Sequence, residues 1–449
     1  MRRRLHGWGR TAPTFADVRV VRDVADVVAA VRDAAGLPRG LLARGLGRSY
    51  GDAAQNAGGL VLDMTALSRI HRLDADARQV RLDAGVSLDL LMRTALAFGL
   101  WVPVLPGTRQ VTVGGAIAAD VHGKNHHVAG SFGSCVRELE LVTAEGQLHH
   151  LTPEGPDPDL FWATVGGMGL TGVLVGATLS LTPVETAYFV VDTERASDID
   201  DLMARLSADD TQPYSVAWFD SIATGASLGR AVITRGRSAR LDELPQRRRA
   251  RALQFDAPSL GRVPVVAPPG LVNRATGRAF NELWFRKAPK ARTGEIQNIT
   301  TFFHPLDIVG DWNRVYGPRG FCQYQFVVPF GAEPVFRRAV ELIAASGQVS
   351  CLNVLKRFGP GDPGPLSFPM PGWTLTVDIP VGAGLDELFR RLDELVLGAG
   401  GRLYLAKDSR MSAATLAASY PRLDHFRAVR ARVDPAGTFR SDLARRLAL

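Results

Sequence analysis

Cysteine is scarce in this sequence, and long apolar runs are absent from it. The chain has 449 residues but only three cysteines, Cys135, Cys322 and Cys351, and they stand far apart. An odd number of isolated cysteines predicts neither a disulfide framework nor a zinc site. No apolar run reaches the roughly 20 residues that a helix needs to cross a bilayer, so the sequence predicts no membrane-spanning helix.

The first residues also lack the pattern of an export signal. Residues 1–13 read MRRRLHGWGRTAP, and no apolar segment follows their arginine cluster. Secretory and twin-arginine signals both need such a segment. We therefore expect no signal peptide, which leaves a cytoplasmic location open.

What the sequence does contain is the composition of a globular protein with a basic excess. Apolar residues make up 46% and charged residues 22%, and the length suits two domains. The net charge of +8 favours acidic partners such as phosphates or anionic lipid. The basic run QRRRAR at 246–251 has no interleaved aromatic residues, so we expect no nucleic-acid binding.

Helix and strand signals alternate over the first part of the chain. Apolar residues at helical spacing predict a helix within 23–35, and Ser87 is placed to cap a second helix that runs to Phe98. Residues 136–153 read as a hairpin, and alternation of polar and apolar residues predicts a half-buried strand over 172–184. Further strands are predicted within 40–52, at 60–64 and at 79–85.

A shift in composition near residue 185 begins the second part. Prolines, glycines and the basic run predict a long mobile segment at 236–292, partly disordered. The remaining predicted elements are strands at 320–329 and 373–381, helices at 333–346 and 384–398, and a tail from residue 402 that starts with a strand and ends in a basic helix. These signals favour an α+β fold in two domains.

Three glycine loops stand between these elements: RGLGRSYGD (44–52), PGTRQVTVGGAIAADVHG (106–123) and VGGMGLTGV (165–173). Glycine lets backbone N–H groups approach a phosphate closely. Any one loop is equally well explained as a tight turn in a core. Three of them between residues 44 and 173 favour a cradle for a long dinucleotide.

Two other ligand sites fit the loops poorly. Residues 45–51 space their glycines as G-x-G-x-x-x-G, one residue longer than the Rossmann fingerprint, and no clear helix follows, so an NAD site is disfavoured. His122, His126 and His127 come without a carboxylate or cysteine cluster, whereas zinc usually takes three or four ligands at defined spacing. We expect no metal site.

The order and spacing of the loops resemble the FAD-binding domain of the vanillyl-alcohol oxidase / p-cresol methylhydroxylase superfamily. Within it, the whole chain is most similar to the decaprenylphosphoryl-β-D-ribose 2′-oxidase family. The motifs that carry this resemblance are GWGRTAP (7–13), ARGLGRSYGD (43–52), PGTRQVTVGGAIA (106–118), DVHGKNHH (120–127), LFWATVGG (160–167), FHPLD (303–307), GPLSFPMPGW (364–373) and LYLAKDSR (403–410).

The resemblance implies a domain plan and a set of cofactor contacts. An FAD-binding domain is expected over 1–186, completed by a C-terminal segment at 402–449, and an antiparallel-sheet substrate domain over 187–401 that includes 236–292. The residues expected to contact FAD are Ala43, Arg44, Gly45, Leu46, Gly47, Arg48, Ser49, Tyr50, Gly51, Asp52, Ala53, Gly107, Thr112, Val113, Gly114, Gly115, Ala119, Asp120, Val121, His122, Leu174 and Tyr404.

The expected attachment of FAD is non-covalent. Many members of the superfamily link the flavin through a histidine in a G-x-G-H-S turn, but here Arg48 stands in that position. A guanidinium stays protonated at ordinary pH and cannot act as the linking nucleophile.

The implied reaction is oxidation of the ribose 2′-hydroxyl of decaprenylphosphoryl-β-D-ribose to the 2′-keto product. Lys407 is the expected base for the hydroxyl proton, since burial beside the flavin lowers a lysine pKa. Without the resemblance, a lysine before Asp-Ser-Arg is more typical of a surface ion pair. Tyr50 and His122 are the other catalytic candidates, placed to hydrogen-bond the sugar or the flavin.

Six residues are expected to line the substrate pocket: Lys356, Gln325, Trp218, Phe303, Thr374 and Thr376. Lys356 and Gln325 are expected to hold the phosphate and ring hydroxyls, and Trp218 to form a wall. The other three depart from the family pattern, which has tyrosine at Phe303, asparagine at Thr374 and cysteine at Thr376. These departures bear on the shape of the sugar pocket and not on the reaction class.

The family setting implies a pathway and partners. The oxidation is the first half of an epimerisation to decaprenylphosphoryl arabinose for cell-wall arabinan, completed by an NAD(P)H-dependent keto-reductase. The family also implies a place in the cell envelope, on the periplasmic face and peripheral to the inner membrane, with 236–292 at the membrane surface. The alternative is a soluble aldonolactone or alditol oxidase of the same superfamily, against which the Arg48 turn and the HGKNHH run (122–127) argue.

Overall fold

A computed structural model describes residues 1–208, 211–255 and 257–449. It has a four-stranded, a five-stranded and an eight-stranded sheet together with a two-stranded pair. Helices pack against all three larger sheets. This mixed architecture confirms the α+β class.

The first sheet combines antiparallel and parallel neighbours in the order β1-β2-β4-β3. Its strands are β1 (Arg2–Leu5), β2 (Thr14–Val20), β3 (Leu41–Arg44) and β4 (Leu60–Asp63). Helix α1 (Val24–Ala34) begins after Asp23, whose carboxylate accepts from the backbone N–H of Asp26. It buries Val27 and Val31 in one core with this sheet, as the helical spacing predicted.

The second sheet is antiparallel throughout, in the order β5-β6-β10-β8-β9. Its strands are β5 (Ile70–Asp74), β6 (Gln79–Asp83), β8 (Val136–Val142), β9 (Leu148–Leu151) and β10 (Val173–Ser180), while β7 (Leu100–Trp101) pairs separately with β11 (Thr182–Pro183). The associated helices are α2 (Leu88–Leu96), α3 (Val113–Ala118), α4 (His126–Ala129) and α5 (Pro158–Thr164).

Two of the local predictions for this region are confirmed and one is wrong. Ser87 caps α2 by accepting from the backbone N–H of Leu90, and β8 pairs with β9 as a hairpin. Strand β10, predicted to be half-buried, is buried continuously from Val173 to Ala177. The reason is its central position between β6 and β8, with α3 and α1 both in contact with it.

The third sheet is the largest, and its paired neighbours run antiparallel in the order β15-β12-β14-β13-β17-β18-β16-β19. Its strands are β12 (Tyr188–Ala196), β13 (Tyr214–Phe219), β14 (Ala231–Ser238), β15 (Ala291–Asn298), β16 (Phe321–Pro329), β17 (Asn353–Phe358), β18 (Gly372–Pro380) and β19 (Arg402–Leu403).

Helices pack against both faces of the third sheet. They are α6 (Ile199–Ala208), α7 (Gln246–Arg249), α8 (Arg274–Lys287), α9 (Ile299–Phe303), α10 (Glu333–Ala345) and α11 (Leu385–Gly398). Helices α8 and α9 lie on the face of Trp218 and Tyr214, and α10 and α11 lie on the other face. Phe336 on α10 packs on Phe326 and Trp373, and Phe389 on α11 packs on Tyr324. Because α10 and α11 cover this face of β16 and β18, the candidate site lies on the opposite face of these strands.

The segment 236–292 contains more regular structure than the sequence predicted. It includes α7, the 14-residue helix α8 and the start of β15, although residue 256 lies outside the described residues. The irregular part runs from 257 to 272. Its mobility stays a prediction.

The tail connects two parts of the fold. Its strand β19 adds to the third sheet beside β16, and its helices are α12 (Ala413–Ser419), α13 (Leu423–Val433) and α14 (Asp442–Leu447). On α14, Arg446 forms a two-point ion pair with Asp52. Within the described ranges, no helix is both long and apolar enough to span a membrane.

Candidate active site

The three glycine loops are in contact with one another. Gly45 lies so close to Thr112 that a Cβ there would overlap the threonine hydroxyl, so the first loop packs on the second only because residue 45 is glycine. The third loop joins through backbone hydrogen bonds, from Gly166 to Ile117 O at 3.0 Å and from Met168 to Ala118 O at 2.8 Å. The loops therefore form one surface rather than three separate turns.

The second loop is also held by the FHPLD motif. The Asp307 carboxylate accepts from the Thr108 hydroxyl at 2.7 Å and from the Arg109 backbone N–H at 2.9 Å. His304 is fully buried and lies 3.2 Å from Pro106 O. Two motifs that are distant in the sequence thus form a single structural unit.

Tyr50 and Lys407 meet because the first loop packs against the LAKDSR turn. The Tyr50 backbone N–H donates to Ala406 O at 2.9 Å, and Gly51 approaches Asp408 O so closely that no side chain fits between them. The Lys407 ammonium consequently lies over the Tyr50 ring, 4.1 Å from its centroid. Two of the three catalytic candidates are therefore neighbours.

His122, the third candidate, joins the loops to the large sheet. Its Nε2 lies 3.0 Å from the Gln325 amide nitrogen and its Nδ1 lies 3.1 Å from Lys356 Nζ. An amide nitrogen only donates, so His122 Nε2 accepts from Gln325, and in the neutral imidazole Nδ1–H donates to Lys356 Nζ in its neutral form. The protonation of Lys356 is thereby coupled to the tautomer of His122.

The register of the sheet places the predicted pocket residues on one face. Gln325 pairs with Thr376, which pairs with Val354, which pairs with Trp218, so these four side chains form one row across four strands. Lys356 pairs with Thr374 in the next row. All the predicted substrate residues except Phe303 therefore share this face.

Phe303 has a different setting. It is 3% exposed and packs in an aromatic cluster with Trp101, Phe189 and Tyr214. Lys124 adjoins the cluster, with its Nζ 5.6 Å from the Phe303 ring centroid. Phe303 is thus packed among aromatic side chains beside Lys124, and its part in the substrate pocket stays a prediction.

The site concentrates positive charge in a buried place. Burial lowers the pKa of Lys407 to about 8. Burial, together with the neighbouring charges of Lys407 and Lys124, lowers the pKa of Lys356 to about 7, and burial lowers that of Lys124 to about 7. The pKa of His122 falls well below its usual value through burial and the adjacent lysines, so its imidazole is neutral. An anion entering this site would restore the charge of the lysines.

Three residues of the site were missed by the sequence reasoning: Lys124, Gln323 and Asp378. Asp378 is fully buried and accepts a hydrogen bond from the Gln323 amide. Burial raises the pKa of Asp378 to about 7, although the Gln323 hydrogen bond and the charge of Lys407 act to lower it. Its charge in turn raises the pKa of Lys407. A signal was present, because polar residues alternate with apolar ones in the buried strands β16 and β18, and that pattern marks one polar face.

Several side chains predicted to contact FAD are committed to the protein instead. Arg44 donates to Ala54 O and His6 O, and Asp52 pairs with Arg446. Asp120 is fully buried, with a backbone φ of 39°, and its carboxylate accepts from the Gly133 N–H and the Ser367 hydroxyl. These three side chains already have protein partners, and their contact with FAD stays a prediction.

The other predicted cofactor residues lie along the same loops. Tyr404 donates its hydroxyl to Ala119 O at 2.7 Å, and Leu174 is buried on β10. Leu46 is 39% exposed at the first loop. The remaining members have no side-chain hydrogen bonds of their own among the described residues. They lie in β3, in the loops or in the first turn of α3, and they are Ala43, Gly47, Ser49, Ala53, Val113, Gly114, Gly115 and Val121.

The loops fit FAD by two observations. Arg48 is stacked on Trp8, with its guanidinium carbon 3.9 Å from the ring centroid, and its buried Nε has no hydrogen-bond partner among the described residues. A cationic group with a free buried donor suits a phosphate or a ring carbonyl. A Cβ at Gly107 or at Gly169 would meet no atom within 4 Å, which leaves room for a ligand beside the second and third loops.

The histidines of the second loop are directed to protein partners. His126 accepts from the Gly359 N–H at 3.2 Å and lies 3.1 Å from the Ser131 hydroxyl, while His127 lies 3.1 Å from Gln212 O. One group with metal-ligand types occurs elsewhere, on the β8–β9 hairpin, and consists of Glu138, Glu140 and His150. Glu140 forms an ion pair with Arg81, and Glu138 lies 2.8 Å from His150 Nδ1, so these groups already have protein partners.

Comparison with known proteins adds family evidence to this geometry. An FAD binding domain family matches residues 16–152, and a D-arabinono-1,4-lactone oxidase family matches residues 376–447. The chain is 56% identical to decaprenylphosphoryl-β-D-ribose oxidase of Mycolicibacterium smegmatis, over 100% of this chain and 98% of that protein.

Two further relatives are more distant. L-gulono-1,4-lactone dehydrogenase of Mycobacterium tuberculosis is 24% identical over 95% of this chain and 93% of its own. Alditol oxidase of a Streptomyces species is 33% identical over 36% of this chain and 37% of its own. The lactone and alditol enzymes are therefore similar either weakly or over part of the chain.

Proposed function

The chain belongs to the decaprenylphosphoryl-β-D-ribose oxidase family of FAD-dependent oxidoreductases, and on that premise we propose that it oxidises the 2′-hydroxyl of a polyprenylphosphoryl ribose to a ketone. The observation that best supports this proposal is one polar surface formed by the catalytic candidates and two pocket residues. The catalytic candidates are Tyr50, His122 and Lys407, and the pocket residues are Gln325 and Lys356. This surface adjoins the glycine loops that fit FAD.

The charge of the site supports a phosphorylated substrate. Lys124 and Lys356 are buried lysines with pKa values lowered to about 7, and each lies near the other's charge. A phosphodiester bound between them would neutralise this repulsion and favour their protonated forms. Gln325 and Thr374, within 3.3 Å of one another, would hold ring hydroxyls.

The residues of the chain supply orientation and a proton acceptor. Bound FAD supplies the acceptor for the hydride that leaves C2′. Neutral Lys407 takes the hydroxyl proton at Nζ, and Tyr50 beneath it fixes the position of that nitrogen. His122 is neutral and held between Gln325 and Lys356, so it orients the sugar rather than competing for the proton.

The biological setting extends this proposal. The ketone is the intermediate of an epimerisation to polyprenylphosphoryl arabinose for cell-wall arabinan, which needs an NAD(P)H-dependent keto-reductase as partner. Contact with the membrane, in the cell envelope and on its periplasmic side, follows from a prenylated substrate. Non-covalent FAD follows from Arg48 at the linking position.

Anaerobic bleaching of the flavin tests the proposal. A prenylphosphoryl ribose should bleach it, whereas free ribose, alditols and aldonolactones at the same concentration should leave it oxidised. Bleaching by alditols or aldonolactones alone would establish the alternative oxidase function instead. The chain is 56% identical over its full length to the decaprenylphosphoryl-β-D-ribose oxidase. It is 24% identical to the lactone dehydrogenase, and 33% identical to the alditol oxidase over only 36% of the chain, so the comparisons favour the leading function.

A further inference from the structure

A cleft in the tail of the chain lies apart from the candidate active site. It is lined by residues of α13, of α14 and of the adjoining turns, all within 427–449, and its volume is about 480 Å³. These residues belong neither to the glycine loops nor to the substrate pocket, so this tail cleft is distinct from both. Small-molecule sites are typically about 300 to 1,000 Å³ in volume, so the tail cleft is large enough to hold an organic ligand.

The lining of the tail cleft is strongly cationic. Only one carboxylate side chain, that of Asp434, is among its lining residues. The two oxygens of Asp434 accept from backbone N–H groups, of Thr438 at 2.6 Å and of Phe439 at 2.9 Å, so this carboxylate closes the turn after α13. Against it stand the guanidinium groups of four arginines, which are Arg427, Arg430, Arg440 and Arg445.

Two of these arginines have no carboxylate partner within the described ranges. Arg440 donates to three backbone carbonyls, including Pro38 O at 3.2 Å, and Arg430 donates to Phe439 O at 2.7 Å. The Nε of Arg430 is buried and has no hydrogen-bond partner in the part of the chain that the structure describes. Burial lowers the pKa of Arg430, Asp434 raises it, and the charge of Arg440 lowers it further. An anion beside these two guanidinium groups would relieve their repulsion.

The other two arginines stand at the edges of the tail cleft with partners of their own. Arg427 lies 3.1 Å from Asp424, whose side chain is 95% exposed, and such a surface ion pair contributes little to stability. Arg427 is therefore able to turn toward a ligand. Arg445 is held more firmly, since it donates to Asn56 Oδ1 at 2.9 Å and pairs with Asp442.

We propose that the tail cleft binds a phosphate-bearing small molecule, with its phosphate beside Arg430 and Arg440. Guanidinium groups bind phosphate oxygens in a two-point geometry, and a terminal phosphate offers three oxygens to two arginines where a carboxylate offers two. The space is far larger than a phosphate ion needs, since one water molecule takes about 30 Å³. The organic part of the ligand would lie against the small apolar side chains of the lining, which include Ala431, Pro435 and Ala436.

Isothermal titration calorimetry of the FAD-loaded protein with glucose 6-phosphate tests the proposal. Saturable binding with a Kd of about 1 mM or below is expected. Glucose at the same concentration should give no binding, because it lacks the anion. Glucuronate, with one carboxylate, should bind at least about tenfold more weakly than glucose 6-phosphate. The flavin takes no part in this measurement, so its outcome does not depend on the proposed function.

Two substitutions on α13 provide a matched pair. Ala431→Glu, at an exposed position in the lining, places a carboxylate among the arginines and should weaken binding at least about tenfold. Ala428→Glu, at an exposed position of the same helix outside the lining, adds the same charge and should change binding less than about twofold. Lys356→Met, in the active site, should also leave this binding unchanged, whereas Arg430→Gln should lose at least about tenfold.

Four results would overturn this inference. The first is the absence of glucose 6-phosphate binding by the unaltered protein up to about 10 mM. The second is equal weakening by Ala431→Glu and Ala428→Glu, which would show an effect of net charge alone. The third is loss of binding in Lys356→Met, which would place the phosphate in the active site. The fourth is glucuronate bound as tightly as glucose 6-phosphate, which would replace phosphate by carboxylate as the chemistry of the ligand.

Discussion

Lys407 and Tyr50, from opposite ends of the chain, form a cation–π contact with 4.1 Å between the ammonium and the ring centroid. Burial disfavours the charged lysine and lowers the pKa of Lys407 to about 8, although the nearby Asp378 carboxylate acts to raise it. Lys407 is therefore close to the point at which a lysine changes from cation to base under ordinary conditions.

Removing the amine should stop the chemistry without removing the flavin. Lys407→Ala should keep FAD, because the first glycine loop contacts this turn through the backbone of Ala406 and Asp408, and should slow single-turnover flavin reduction by a factor on the order of 10² to 10⁴. Lys407→Arg should be similarly slow, because a guanidinium does not accept a proton. Near-normal reduction by the alanine variant would transfer the role of base to His122 or Tyr50.

The rate of flavin reduction should rise with pH through about 8, because only the neutral form of Lys407 accepts the proton. Asp378→Asn removes an anion that raises the pKa of Lys407, so the acidic limb of the profile should move to lower pH. Asp393→Asn is the matched control, since this half-buried carboxylate accepts a hydrogen bond from the Tyr324 hydroxyl on the helix side of β16. A shift of equal size in both variants would contradict a specific effect of Asp378.

The phosphate interaction is tested at Lys356. Lys356→Met should raise the Kd of a prenylphosphoryl ribose roughly tenfold or more, the usual cost of losing a hydrogen bond to a charged group. Lys287→Met, at an exposed lysine, is the control and should leave the Kd for a short-chain soluble substrate unchanged. Titration of flavin absorbance measures both, and an unchanged Kd for Lys356→Met would remove this lysine from the substrate site.

FAD should be released completely when the protein is denatured by acid or heat. Arg48 stands where linking members of the superfamily have histidine, and its guanidinium is stacked on Trp8 rather than free to form a bond. The supernatant should contain all the flavin after precipitation. Flavin retained by the washed pellet would show that another residue forms a covalent link.

Elements with strong local signals were predictable from sequence. Helix α1 follows its apolar spacing, α2 begins at its Ser87 cap, and the β8–β9 hairpin turns within the expected residues. Such features depend on contacts within a few residues, so the local sequence is sufficient. Burial of β10 was not predictable in the same way, because it depends on which strands and helices come to lie beside it.

By itself, the sequence determined the parts of the site that depend on residue type at one position. Glycine is required at Gly45 and Gly51 for the loops to approach Thr112 and Asp408, and Arg48, where linking members of the superfamily have histidine, predicts non-covalent FAD. Only the tertiary structure decided that Gln325, Thr376 and Trp218 share a row and that Asp378 lies near Lys407. The physical reason is strand register: side chains alternate between faces, so a shift of one residue in pairing would move every polar group of β16 and β18 to the other side.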